Sequence, residues 1–397
     1  MALPLKYNFK NVFIRWRATL STILGVALVV AVFILVQSLA VGLEKSSRST
    51  GDPRNMMIVR KGSTAESSSQ VLREQFKLIQ YLPQIARDAA DRPLASADVI
   101  VLVNLPRRDG GGEANVLVRG ISPLGPPLRP QVALVDGKDA FGAVVASRWF
   151  APGQREVVVS RRLAARFAHF EIGGRFKTAG KELTVVGWTD GGGSAFDSEV
   201  WMDADEARSI FDRENYSSVL VRVKDEAAGN ALTRRVESDK RLPLRVWKET
   251  EYYSAQTMTA IPIKFLGTFL ATMMSIGAVF AAMNTMYASV GARTREIGTL
   301  RVLGFRRRTI LLSFIIEGAL LALIGGVLGC LLSLPLHGYS TGTFSFESFS
   351  ETVFEFRITP WLATQGLIFS VIVGMLGSFL PAIRAARLPV IAALKEV

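Results

Sequence analysis

Few side chains in this sequence are placed for covalent or redox chemistry. Cys330 is the one cysteine in 397 residues, so no intramolecular disulfide and no multi-cysteine zinc site can form. His169 and His337 stand far apart in the chain, which argues against a histidine-rich metal site. The two triple glycines, Gly110-Gly111-Gly112 and Gly191-Gly192-Gly193, do not open a helix with Gly-Lys-Ser/Thr, and they read as turns rather than phosphate loops. No nucleophile elbow or triad pairing is visible among the Ser, Asp and His residues. The remaining candidates act through charge. Glu317 stands alone in an otherwise uncharged apolar run, and Arg293, Arg295, Glu296 and Arg301 interleave with Ile297 and Leu300 at helical spacing. A carboxylate in such a run is costly unless paired, protonated or facing water; Asn284 is its candidate hydrogen-bond partner. One isolated acid makes no proton pathway, so a conformational contact is favoured over a proton-driven carrier, which would also call for inverted repeats.

The elements that hold these residues follow from hydropathy. The chain is 49% hydrophobic and only 20% charged, an apolar balance for a soluble protein. Four blocks hold most of the apolar residues: 18–42, 261–290, 309–336 and 360–383. At a rise of about 1.5 Å per residue each is long enough for a bilayer core of about 30 Å, and the sequence predicts four membrane-spanning helices. The first block superficially imitates a cleavable leader ending at Ser38-Leu39-Ala40, but its length and the three further spans favour a retained helix. Arg15 and Arg17 precede the first span, Arg293 to Arg308 join the second to the third, and Arg384, Arg387 and Lys395 follow the fourth, whereas Glu347, Glu351 and Glu355 lie between the third and fourth. The positive-inside rule then puts both termini and the Arg-rich loop in the cytoplasm of a bacterial inner-membrane protein. The net charge of +13 is accounted for by this topology and by anionic lipid, with no role for nucleic acid.

Residues 1–17 mix basic and apolar faces and predict an amphipathic helix on the inner membrane surface. Residues 43–260 form a large extracytoplasmic segment of nearly balanced charge. Its apolar runs at 56–59, 99–103, 116–118, 157–159, 183–186 and 219–223 predict strands, and 69–87, 161–169 and 203–212 predict helices. The expected fold is α+β in two lobes, dividing near the Pro-rich stretch 123–130 and again near Arg148. Residues 291–308 form a short cytoplasmic helix with Gly304 as its C-cap, 337–359 a short extracytoplasmic loop, and 384–397 a cytoplasmic tail. Gly325 with Gly329, and Ser370 with Gly374, are small-residue pairs suited to close helix packing, either within the subunit or between subunits.

The run from Tyr287 to Phe305 resembles the cytoplasmic element of the FtsX-like permease domain, which recurs in MacB-type ATP-binding-cassette systems. The resemblance continues through Glu317-Gly318-Ala319 to Gly329, through Pro381 to Val390 and on to Lys395, and over Asn11 to Gly25. Glu156 to Ser160 with Leu163-Ala164, Ile172-Gly173 and Val185-Val186-Gly187 is similar to the family's periplasmic core domain. The resemblance implies a dimeric permease, homomeric or heteromeric, that relays ATP-driven motion across the membrane, with Arg293, Arg295, Glu296, Ile297, Leu300 and Arg301 in the coupling element. MacB itself carries a fused ATPase. No Gly-x-x-x-x-Gly-Lys-Ser/Thr occurs here, so ATP and Mg are expected on a partner ATPase dimer and no cofactor on this chain. A periplasmic adaptor is a further implied partner. The alternative within the same resemblance is an FtsX-like regulator that relays ATPase motion to an extracytoplasmic enzyme.

Overall fold

The computed structural model describes residues 16–255, 260–344 and 351–388. Residues 1–15, where most of the expected amphipathic helix falls, and the tail beyond Leu388 lie outside them. The chain divides into two compact units, one of Met1–Val41, Ile261–Tyr339 and Phe356–Val397, the other of Gly42–Ala260 and Ser340–Glu355.

In the first unit, four helices are long and apolar enough to cross a membrane. They run over Trp16–Arg48, Ala260–Gly291, Arg307–Ser333 and Pro360–Arg387. The fourth begins where the sequence supplies a stop and a start together. The Thr359 hydroxyl accepts from the Leu362 N–H, and Pro360, which has no N–H to leave unpaired, takes the first helical position. Val26, Val30 and Ile34 of the first span pack with Ala278, Ala322, Leu362 and Val373, so all four spans meet in one apolar cluster. The second span is the least enclosed: 22% of its apolar stretch is buried, against 44–50% in the others. Phe265, Phe269, Met273 and Phe280 stand exposed along it, a face that requires lipid or another apolar surface.

The second unit is built on strands β1 (Asn55–Arg60), β2 (Ala95–Pro106), β3 (Glu113–Ile121), β4 (Ala133–Val135), β5 (Gly137–Lys138), β6 (Val144–Val145), β7 (Glu156–Ser160), β8 (Arg175–Thr178), β9 (Lys181–Asp190), β10 (Glu199–Asp203), β11 (Ser218–Arg222) and β12 (Leu244–Lys248). Ten of them form one sheet in the order β12-β1-β11-β2-β3-β10-β7-β9-β4, with β8 on β9. Period-two alternation decides which core each side chain enters. Met56 and Ile58 of β1 face one cluster while Met57 and Val59 face another, and Val157 and Val159 of β7 point opposite to Val158.

The two lobes expected of this segment share one sheet. The sheet changes neighbours within β2, whose first residues, Ala95 to Asp98, pair with β11 and whose remainder, Val99 to Pro106, pairs with β3. A single long strand thus carries both halves, and proline content is no guide to that. The segment expected as a plain loop at 337–359 contains a hairpin, β13 (Ser340–Phe344) with β14 (Glu351–Glu355). Val353 is fully buried in the main sheet core, its N–H donates to the Ser198 hydroxyl at 2.7 Å, and Glu355 pairs with Arg162 at 2.8 Å.

Charge is also buried in this unit. Arg119 of β3 reaches Glu199 at 2.7 Å, Glu66 at 2.9 Å and Asp98 at 3.2 Å, and Arg129 contacts Asp98. Glu249 accepts from the Asp52 N–H and from Asn55 Nδ2, both at 2.8 Å. Burial pushes the Glu66 carboxyl up, but the Arg119 guanidinium more than offsets this and leaves it below the usual range. At Glu249, 3.9 Å from Arg129, burial wins and the carboxyl is raised.

Candidate coupling site

Thr294 to Val302 form a short helix between the second and third spans. Its end is set by local chemistry. Gly304 takes φ +91°, a conformation that costs glycine little, while Phe305 N–H donates to the Leu300 carbonyl and Gly304 N–H to the Arg301 carbonyl. These two bonds make a Schellman closure at the glycine expected to cap the helix. Arg301 adds a bond from Nη1 to the Phe305 carbonyl at 3.3 Å.

The helix has a rooted face and a bare face. Ile297 is buried with Met286, Val290, Ile310, Phe314, Leu321, Ala382 and Ala385, residues drawn from the second, third and fourth spans. Leu300 is half-buried. Arg295 and Glu296 are exposed, as are Val302 and Leu303, at 61% and 67%. Leu303, three residues beyond Leu300, therefore leaves the apolar stripe that Ile297 and Leu300 begin. The helix ends at Val302, and the glycine turn carries Leu303 outward.

Arg293 lies at the root. It is buried, and its Nη1 donates to Glu317 Oε2 at 2.9 Å, with both side chains at most 7% exposed. The sequence reading offered Asn284 as the partner of Glu317. Asn284 is on an exposed part of the second span, and the cation across the loop takes the role instead. A buried carboxylate favours a full counter-charge over an amide because pairing offsets more of its lost hydration. The signal was present in the sequence: an intramembrane acid calls for a cation, and Arg293 stands where the second span ends. A paired Glu317 also weakens the carrier reading. Of the residues that the resemblance puts in the coupling element, Arg293 is buried, whereas Arg295 and Glu296 are exposed.

The small-residue pairs meet spans of the same chain. A methyl group at Gly325 would come 2.8 Å from the Ile23 carbonyl oxygen, and one at Gly329 would come 2.6 Å from that of Ala27, so both face the first span. Ser370 packs on Gly326, and Gly374 lies against Ala322 and Gly318, closing the fourth span on the third. Sequence reasoning missed two polar ties on the second span. Thr22 Oγ1 donates to Thr285 Oγ1 at 2.8 Å, and Gln37 Nε2 donates to Thr268 Oγ1 at 3.1 Å. Among the described residues no cluster of His, Cys, Asp and Glu suits a metal ion.

Comparison with known proteins finds two family descriptions along the chain. Residues 19–239 match the MacB-like periplasmic core domain and residues 268–390 match the FtsX-like permease C-terminal domain. The Macrolide export ATP-binding/permease protein MacB of Bordetella avium is 28% identical over 326 residues, covering 76% of this chain and 48% of that protein. Its Escherichia coli namesake is 36% identical over 190 residues, 45% of this chain and 28% of the relative. The chain thus spans about half or less of the curated relatives it matches. Among solved structures, the periplasmic region of MacB from Actinobacillus actinomycetemcomitans aligns with 53% of this chain and 94% of its own, at 13% identity and a TM-score of 0.37.

Proposed function

Because the chain belongs to the family of permeases that carry a MacB-like periplasmic core domain and an FtsX-like C-terminal domain, we propose that it is the membrane subunit of a MacB-type transporter and acts as a force relay. A cytoplasmic ATPase dimer, binding ATP and Mg, pushes on the 294–302 helix. The push passes through Arg293 and Glu317 to the third span and through Ile297 to the second and fourth. The subunit works as a dimer in the bacterial inner membrane with both termini cytoplasmic, and an extracytoplasmic adaptor is a further partner. The observation that carries this reading is the division of one short helix into a root packed on three spans and a bare tip at Val302 and Leu303. Such a tip costs solvation unless a partner covers it.

The test is to purify the full chain from its native membranes through a tag and to measure the ATPase that copurifies with it. The double variant Val302→Asp/Leu303→Asp, altered only at exposed positions, should lose about tenfold or more of the associated ATPase, on the scale of one lost apolar contact. Equal recovery of the ATPase would overturn the assignment. A second reading, a regulator that relays ATPase motion to an extracytoplasmic enzyme, draws on the FtsX-like match over 268–390. It keeps the same lever and changes only what is moved. A neighbouring gene for an adaptor favours export, and one for a cell-wall hydrolase favours regulation.

A further inference from the structure

The 42–260 part of the chain holds a cavity of about 490 Å³ that the force-relay reading leaves unused. Its size falls in the range of about 300–1,000 Å³ typical of small-molecule sites. Pro126, Pro127 and Pro152 contribute rigid apolar wall without backbone donors, and Trp149 and Phe150 contribute aromatic surface. The Trp149 ring is held in place before any ligand arrives: it stacks on Trp201 at 6.1 Å and meets the edge of Phe150 at 6.3 Å. Ordering of this wall is therefore largely complete in the empty protein.

One lining residue is charged, and it is an acid. Asp203 is 6% exposed, and its Oδ1 accepts the N–H groups of Asp205 and Glu206, each at 3.1 Å. Those bonds fix the orientation of the carboxylate at the cavity wall. No lysine or arginine lines the cavity to neutralise it. A fixed anion set among aromatic and proline surfaces complements a cation on an apolar body, through charge pairing at the carboxylate and cation–π attraction at the indole. We propose that this cavity binds organic cations, protonated amines carried on a flat apolar body, with the body against Trp149 and the ammonium at Asp203. The proposal does not depend on the force-relay reading, since it concerns binding without ATP or partner.

The test uses the full chain in lipid nanodiscs and a dansyl-pentylammonium probe, read by energy transfer from tryptophan to dansyl. Its N-acetylated form, equal in body but uncharged, serves as the neutral comparison. The cationic probe should bind saturably and about tenfold tighter than the neutral one, the scale of one charge-assisted hydrogen bond. Asp203→Asn keeps a side chain equally able to cap the helix. It should lower the cation's affinity to that of the neutral probe and leave the neutral probe unchanged, which also shows that the wall is intact. Trp149→Leu should weaken both probes. Partition into the bilayer is common to all variants and cancels in the comparison. Equal affinity of the two probes for the wild type, unchanged selectivity in Asp203→Asn, or the absence of any saturable signal would each overturn the proposal.

Discussion

Arg293 and Glu317 are separated by the 294–302 helix, a glycine turn and about three turns of the third span, yet they share one buried hydrogen-bonded contact of 2.9 Å. Taking both charges out of water is expensive, so the pair by itself is weak support for stability. Removing one partner is another matter, because the survivor is left buried and uncompensated at a cost of about 3–5 kcal/mol. Glu317→Ala and Arg293→Ala should each lower the melting temperature of the purified full chain clearly. The double variant should fall well short of the sum of the two. A Glu317→Ala protein that melts with the wild type would show that the two side chains do not depend on each other. At this scale the sequence showed that Glu317 had to be paired, protonated or hydrated. The identity of the partner was not legible there, because it turns on how the 291–308 loop folds back.

The elements are held together by absence of side chains as much as by their presence. Gly325 and Gly329 let the third span approach the first until carbonyl oxygens lie 2.8 and 2.6 Å from where a Cβ would sit. Without water to drive apolar association, such close van der Waals contact supplies much of the packing energy in a bilayer. Gly329→Leu should therefore sharply reduce the yield of folded, detergent-stable protein. Gly277→Ala is the matched control, since a methyl group there meets nothing within 4 Å; it should leave yield and melting unchanged. A Gly329→Leu protein as stable as the control would mean that the first and third spans do not pack through this stripe. The sequence offered both an intra-subunit and an inter-subunit seam for these residues. Periodicity marks a small-residue stripe but carries no label for the surface that it meets.

Across the whole molecule, distant segments of chain are joined by buried charge. Glu249 ties the end of the large insert to Asp52 and Asn55 at its start, under Arg129. Its raised carboxyl means that the folded state holds a proton more tightly than the unfolded chain. The stability from this group is thus present at low pH and lost as pH rises through the raised value. Wild-type protein should gain melting temperature on acidification from about pH 8 toward pH 5, as that linkage requires. Glu249→Gln, permanently neutral, should lack this part of the gain and be at least as stable near neutrality. A variant with the wild-type pH profile would place the titration elsewhere. The sequence alone determined four apolar spans, the alternating strands of the insert and the glycine that ends the coupling helix, because hydropathy, period and positive φ are local properties written residue by residue. Only the tertiary structure decided that β2 carries both halves of the sheet, that Val353 returns to fill its core, and that Arg293 answers Glu317. Those outcomes depend on burial and pairing between residues far apart in the chain, where many partners satisfy the same local rules and only close packing selects one.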